Sequence, residues 1–128
     1  PAHFDALVAA VAGRPVEAIL VTHTHRDHSP AAKPLSERTG APVWGCAPLV
    51  IPGDQEAGFD PTYAPDRILR DGETVDLAGE RIEAVHTPGH TSNHLCFAYR
   101  HRLFSGDHVM GWSTTVVIPP DGHMGAYM

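Results

Sequence analysis

The sequence has 128 residues, enough for one compact domain with a sizeable buried core. Its apolar fraction of 42% and charged fraction of 19% exclude a disordered tail, and no apolar run approaches the roughly 20 residues of a membrane span. Nine basic against 15 acidic residues give a net charge of −6, which offers no general attraction to phosphate backbones or anionic lipid, so a membrane partner is not expected and a nucleic-acid partner is unsupported.

Phe4, Leu7, Val8 and Val11 fall at helical spacing and Gly13-Arg14-Pro15 ends the pattern, which predicts a short amphipathic helix. Glu17 to Thr22 contains the run Ala18-Ile19-Leu20-Val21, the pattern of a strand buried on both faces. Ser29 is placed to cap a second helix with Pro30 at its first position, and Gly40 to stop it after Thr39. Pro34 would cost an early backbone hydrogen bond, so the regular helix is expected to start only near Lys33 or Pro34. Ala41 to Cys46 reads as a second strand, completing a β-α-β unit.

From Ala47 to Pro65, prolines 48, 52, 61 and 65 with glycines 53 and 58 predict a long surface loop of the kind that often carries function. Arg67 to Arg70, Glu73 to Leu77 and Glu80 to Val85, divided by Asp71-Gly72 and Ala78-Gly79, predict an antiparallel meander stopped by Thr87-Pro88-Gly89. Leu95 to Tyr99 and Leu103 to Ser105 should pair across a solvated Arg100-His101-Arg102 turn, and Thr114 to Ile118 offers a further β-branched strand. Asp121 is placed to cap a last helix. Cys46 and Cys96 sit in apolar contexts without a CxxC pattern, so both read as small buried hydrophobes in a reducing, cytoplasmic compartment.

Ten histidines are the oddity, because three fall within His23 to His28 and two more are His90 and His94. His23 and His25 are two apart, so in extended backbone both imidazoles point the same way and can share one metal. Asp27 and His28 follow where the chain must turn, and can face a second metal beside the first. His90 follows the tight turn Thr87-Pro88-Gly89, which can aim a third imidazole at the first pair and leave one position open for water. Asp107, at the end of another apolar strand, can bridge two cations with its two oxygens. Neutral imidazole with carboxylate suits zinc, and also iron or manganese.

The motifs Thr22-His23-Thr24-His25-Arg26-Asp27-His28, Thr87-Pro88-Gly89-His90-Thr91 and Ser105-Gly106-Asp107-His108, in that order, resemble the metallo-β-lactamase superfamily. The resemblance implies an α/β fold, here a partial αββα sandwich with mixed sheets over residues 1–128. It also implies two zinc ions in the complete protein: the first on His23, His25 and His90, the second on Asp27 and His28, with Asp107 between them. Relatives that use a di-iron site for redox work resemble a pattern with glutamate at the position of His25, so this chain leans toward hydrolysis.

The stretch from Thr22 to Trp112 resembles the small hydrolases related to glyoxalase II and the β-lactamase-like endoribonucleases. It implies a zinc-activated hydroxide acting on an ester, thioester, lactam, lactone or phosphodiester of a small-molecule substrate, with Asp27 as the residue that orients it. The low basic content makes an endoribonuclease role less attractive.

Thr22, Thr24 and Ser29 are candidates to support the ligands by hydrogen bonding, and His94 and His108 to contact the site or pack around it. Trp112 could line a pocket, though an aromatic beside a strand is more often core. The family supplies one more histidine to its second metal downstream of Asp107, and its sheet begins upstream of this chain's first residue. The chain therefore reads as the middle of a larger protein, without the first strands and the C-terminal part. Its first metal position is then complete and its second short by one ligand, with sheet edges free for self-association. His123 is the one histidine well downstream of Asp107, and its surroundings predict a helix start rather than a ligand. The competing expectation is a module that binds metal without turnover.

Overall fold

A computed structural model describes residues 2–49, 51 and 58–128. Among them the elements run α1 (Ala2–Val11), β1 (Ile19–Val21), α2 (Ala32–Thr39), β2 (Val43–Gly45), β3 (Arg67–Ile68), β4 (Thr74–Leu77), β5 (Glu80–His86), β6 (Leu95–Tyr99), β7 (Arg102–Phe104) and α3 (Met124–Tyr127). The fold is α/β with one parallel and one antiparallel sheet: β1-β2-β3 all parallel, and β4-β5-β6-β7 antiparallel throughout.

Helix α1 follows its periodicity closely, since Phe4, Leu7, Val8 and Val11 are half-buried while the residues between them are exposed. It lies against α2. The β1-α2-β2 unit forms as the sequence predicts, but β1 is the edge of its sheet and only Val21 is fully buried, so the expectation of a strand covered on both faces is corrected. Helix α2 starts at Ala32, ahead of Pro34, because a proline in the first turn gives up an N–H that has no intrahelical partner there anyway. Ser29 does not cap it. Its hydroxyl donates to Asp60 Oδ2 at 2.9 Å instead. Gly40 ends the helix, its N–H bonding back to Ser36 O at 2.7 Å.

Two further expectations fail for physical reasons. Arg67 to Arg70 does not open the meander; its first two residues join the parallel sheet as β3. Asp66 anchors that pairing by donating its N–H to Val43 O and accepting the Val43 N–H on its carboxylate, each at 2.7 Å. The chain crosses to the second sheet at the turn after Arg70, where Glu73 Oε2 accepts the Arg70 N–H at 2.9 Å. Thr114 to Ile118 forms no strand, because its polar groups serve the site described below. Of the predicted 47–65 loop, Pro52 and Gly53 lie outside the described residues. Segment 58–60 pairs back on 24–26 through a His25–Phe59 bridge and the Asp60 N–H to Thr24 O bond of 2.8 Å.

The core joins both sheets: Val21, Val43, Leu69, Val75, Ala84, Leu95 and Phe97 are buried together. Each large side chain so buried contributes roughly 1.5–3 kcal/mol. Cys46 and Cys96 are buried and unpaired, as expected of small hydrophobes, and burial lifts the Cys46 thiol to about 11. Trp112, by contrast, is 100% exposed, so neither the core nor the pocket expectation holds for it. Among the described residues no helix is long and apolar enough to cross a membrane.

Candidate metal centre

The candidate ligands leave the ends of strands from both sheets. His23 and His25 follow β1, His90 follows β5, and Asp107 follows β7. Strands β5 and β7 run in the same direction, so their carboxyl ends lie at one edge of the antiparallel sheet. The end of β1 is stitched to that edge by the Leu95 N–H, which donates to Thr22 O at 2.8 Å.

Four side chains converge. One ligand atom each from His23, His25, His90 and Asp107 lies within 4.8 Å of the others. His25 Nδ1 stands 3.1 Å from His23 Nε2 and 3.0 Å from His90 Nε2. A tetrahedral ion about 2.0–2.1 Å from each nitrogen needs nitrogens a little over 3 Å apart, so this spacing fits one cation. The surroundings of His23 and His25 favour their neutral, metal-binding form. Burial, then the neighbouring imidazoles of His28, His94, His25 and His90, push His23 far below the ordinary histidine value; burial, then His90, lowers His25. His90 Nδ1–H donates to Val116 O at 2.6 Å, which leaves Nε2 as a lone pair facing the cluster.

Asp107 is shared. Its Oδ2 lies 3.4 Å from His90 Nε2 and 4.0 Å from His23 Nε2, while Oδ1 lies 3.3 Å from His28 Nε2. His28 is thus reached through Asp107, and its ring lies tilted at 44° to the His23 ring with centroids 4.1 Å apart. Asp27 is the outlier of the predicted set. It is 80% exposed and meets the site only through His28, 3.7 Å away.

Much of the geometry depends on residues behind the ligands. His94 is fully buried and its Nε2 accepts the Asp107 N–H at 3.2 Å, so the neutral ring donates from Nδ1 to Thr87 Oγ1 at 2.8 Å. Burial and the facing His90 hold His94 down to about 3, which keeps that acceptor available. Thr22 Oγ1 meets His23 Nδ1 at 3.1 Å, as predicted for a supporting residue. Thr24 is held by Asn93, whose Nδ2 also donates to Ala47 O at 2.7 Å. His108 Nδ1 is buried without a hydrogen-bond partner, and its carbonyl accepts the Tyr127 hydroxyl at 2.8 Å.

Asn93, Asp60 and the Val116 carbonyl had no place in the sequence reading, and Thr87 entered it only as part of the turn before His90. Asn93, Asp60 and the Val116 carbonyl act through contacts 26 to 69 positions away along the chain, and Thr87 through His94 seven positions on. Two assignments near the C-terminus also change. Asp121 does not cap α3; its carboxylate accepts from Ser92 N–H at 2.8 Å and Ser92 Oγ at 2.5 Å. His123 is the cap, its Nδ1 accepting the Ala126 N–H at 3.1 Å, so it has no part in the cluster.

Gly89 is required where α3 crosses the His90 loop. Its φ of 134° suits glycine, and a Cβ there would sit 2.4 Å from Tyr127 Cβ. Beside His25 and His90 opens a cavity of about 310 Å³, walled by Ile51, Phe59, Val116, Ile118 and the turn 119–122.

The family model described as metallo-beta-lactamase superfamily matches residues 1–128. The chain superposes on ETHE1 from Myxococcus xanthus at 23% identity and TM-score 0.73, covering 98% of this chain and 51% of that one. It superposes on the BLEG-1 B3 metallo-beta-lactamase at 20% identity and TM-score 0.76, covering 97% and 66%. For TTHA1623 in a di-iron-bound form, identity is 30% and TM-score 0.73, covering 96% and 66%. The chain thus spans about half to two-thirds of these solved chains.

Proposed function

The chain belongs to the metallo-beta-lactamase superfamily, and from that premise we propose that it is a metal-dependent hydrolase cleaving an ester, thioester, lactam or phosphodiester at the His23–His25–His90–Asp107 cluster. The observation that carries this reading is the convergence of three imidazoles and a carboxylate on one point at the strand ends. His23 Nε2, His25 Nδ1 and His90 Nε2 would hold the first cation, and His28 and Asp27 would serve a second across the Asp107 carboxylate. A divalent cation bound there supplies Lewis acidity and brings the pKa of water toward neutrality.

The chain's own groups do the rest. The Val116 carbonyl fixes the tautomer of His90, and His94 fixes the Asp107 backbone, so the ligand atoms are oriented before any ion arrives. Asp27, exposed beside His28, would also orient an attacking water. Zinc suits the donor set. Iron is the second metal reading, favoured by the di-iron form of the 30% identical TTHA1623. A second functional reading, metal binding without turnover, is favoured by the distance of Asp27 from the cluster.

Metal content and turnover of p-nitrophenyl acetate, measured together on the purified chain, separate these readings. Bound zinc with turnover, both lost in His23→Ala and His90→Ala, supports the hydrolase. Zinc without turnover supports the binding module. A coloured iron preparation overturns the zinc assignment, and unchanged metal content in both variants overturns the site.

A further inference from the structure

The Ser105-Gly106-Asp107 turn is held at both ends by one chain of hydrogen bonds. Asp107 N lies 3.2 Å from His94 Nε2, His94 Nδ1 2.8 Å from Thr87 Oγ1, Thr87 Oγ1 3.2 Å from Cys96 Sγ, and Cys96 Sγ 3.5 Å from Ser105 O. His94 and Cys96 are fully buried, so bulk water offers neither of them another partner.

The two ends fix every direction between them. A backbone N–H can only donate and a backbone carbonyl can only accept. His94 Nε2 is therefore a lone pair, and the ring carries its hydrogen on Nδ1 and donates it to Thr87 Oγ1. At the other end the Cys96 S–H donates to Ser105 O, which leaves its sulfur to accept the Thr87 hydroxyl. All the bonds run the same way, from the Asp107 amide round to the Ser105 carbonyl. Ser105 O takes the His108 N–H as well, at 3.0 Å, on its second lone pair. The turn also fits closely against the ring. Gly106 has a φ of 50°, and a Cβ there would stand 2.7 Å from His94 Nε2. Thr87 belongs to the His90 loop, where its N–H donates to His94 O at 3.0 Å. The chain of bonds thus joins the loop that carries His90 to the turn that carries Asp107.

Resting on the metal-centre reading above, we propose that Thr87 and Cys96 are positioning residues for the metal ligands: acting through His94, they fix the Asp107 turn so that its carboxylate stands between His90 and His28. Cys96 has the burial of a core residue, but it is the member that closes the ring. An apolar side chain there would leave the Thr87 hydroxyl without its acceptor. Neither residue touches the reacting atoms. Hydrogen bonds in a row polarise one another, so the loss of one member weakens the rest. The influence on the ligands falls with distance along the chain of bonds, from His94 to Thr87 to Cys96.

The test follows the His94 ring by long-range proton–nitrogen NMR correlation in the metal-free chain, beside zinc affinity measured against a chromophoric chelator. In the native chain the hydrogen is expected on His94 Nδ1, with a slowly exchanging Thr87 hydroxyl proton. Thr87→Val removes the acceptor for Nδ1–H. The single tautomer is then lost, the Asp107 amide signal moves, and zinc affinity falls about tenfold, the low end for residues that orient ligands. Thr87→Ser restores all three. Cys96→Ala keeps the tautomer but lets the Thr87 hydroxyl proton exchange and lowers affinity about threefold. Cys96→Ser, which keeps a donor and an acceptor, preserves the protection. A role in packing alone predicts the reverse, with Thr87→Val as good as Thr87→Ser. Hydrogen on His94 Nε2 in the native chain, or an unchanged tautomer or affinity in Thr87→Val, overturns the proposal; an unchanged Thr87 hydroxyl in Cys96→Ala overturns it for Cys96. Where a variant does not fold, the tautomer and hydroxyl exchange of the native chain decide. If the native chain binds no zinc, the metal-centre reading fails, and the tautomer and Asp107 amide signals alone decide whether these bonds hold the turn.

Discussion

Two halves of one loop behave very differently. His23 is fully buried, boxed in by Thr22, His25, His28, His90 and His94, whereas Asp27, four residues on, is 80% exposed and touches the site through a single imidazole. The first half is organised by the protein's own packing: β1 holds it, Leu95 ties β1 to the second sheet, and buried hydrogen bonds set each ring. The open half is left to the turn from His25 to Ser29, where the His28 and Ser29 N–H groups bond back to His25 O. Metal affinity should therefore reside in the buried half and adjustable chemistry in the open one.

The largest break in that comparison would come from His90→Ala, which removes one of three converging nitrogens. Zinc affinity should fall more than about a hundredfold in competition with a chromophoric chelator, because even residues that only orient ligands are worth about 10–100-fold. His94→Ala tests that lesser class. It leaves all four converging atoms in place but frees the Asp107 N–H and Thr87, so affinity should fall about 10–100-fold. An unchanged affinity would mean that the buried half does not orient Asp107.

Next comes pH. His23, His25 and His94 are held neutral below their unfolded value of 6.5, so the unfolded chain binds more protons at acid pH. Stability of the metal-free chain is intact above that value. It should fall as pH drops below 6.5, His23 and His94 each contributing about 1.4 kcal/mol per pH unit, with the His94 contribution levelling off near pH 3 and His25 acting in the same direction. Urea midpoints that stay flat over this window would contradict neutral burial. The smallest effect is expected of Asp27→Asn, with zinc affinity at the first position within a factor of about two while turnover drops. An Asp27 effect on affinity as large as that of His90 would erase the distinction between the halves.

The buried half was also the more legible one. His23 and His25 alternate after an apolar run, and Thr87-Pro88-Gly89 announces a turn before His90; local chemistry carries the signal. The β1-α2-β2 unit was legible for the same reason, through its apolar run and Gly40. What escaped was set by contacts between distant residues. Two-residue β3 is fixed by Asp66 reaching Val43, 23 positions away. The Thr114–Ile118 segment has the composition of a strand, yet it runs unpaired and gives a carbonyl to His90, 26 positions away. Ser29 had two possible uses, and only the position of Asp60 decides between them.

The two sheets contribute different ligands to one point, His25 and His90 being 65 positions apart. An ion held there would act as a cross-link that closes very long loops, much as a disulfide does, and would favour the docked sheets over the open chain. It would also set an order of events during synthesis. A nascent chain that has not yet emerged past His90 would lack one of the three imidazoles, so an ion at this point would be expected only after most of both sheets has been made.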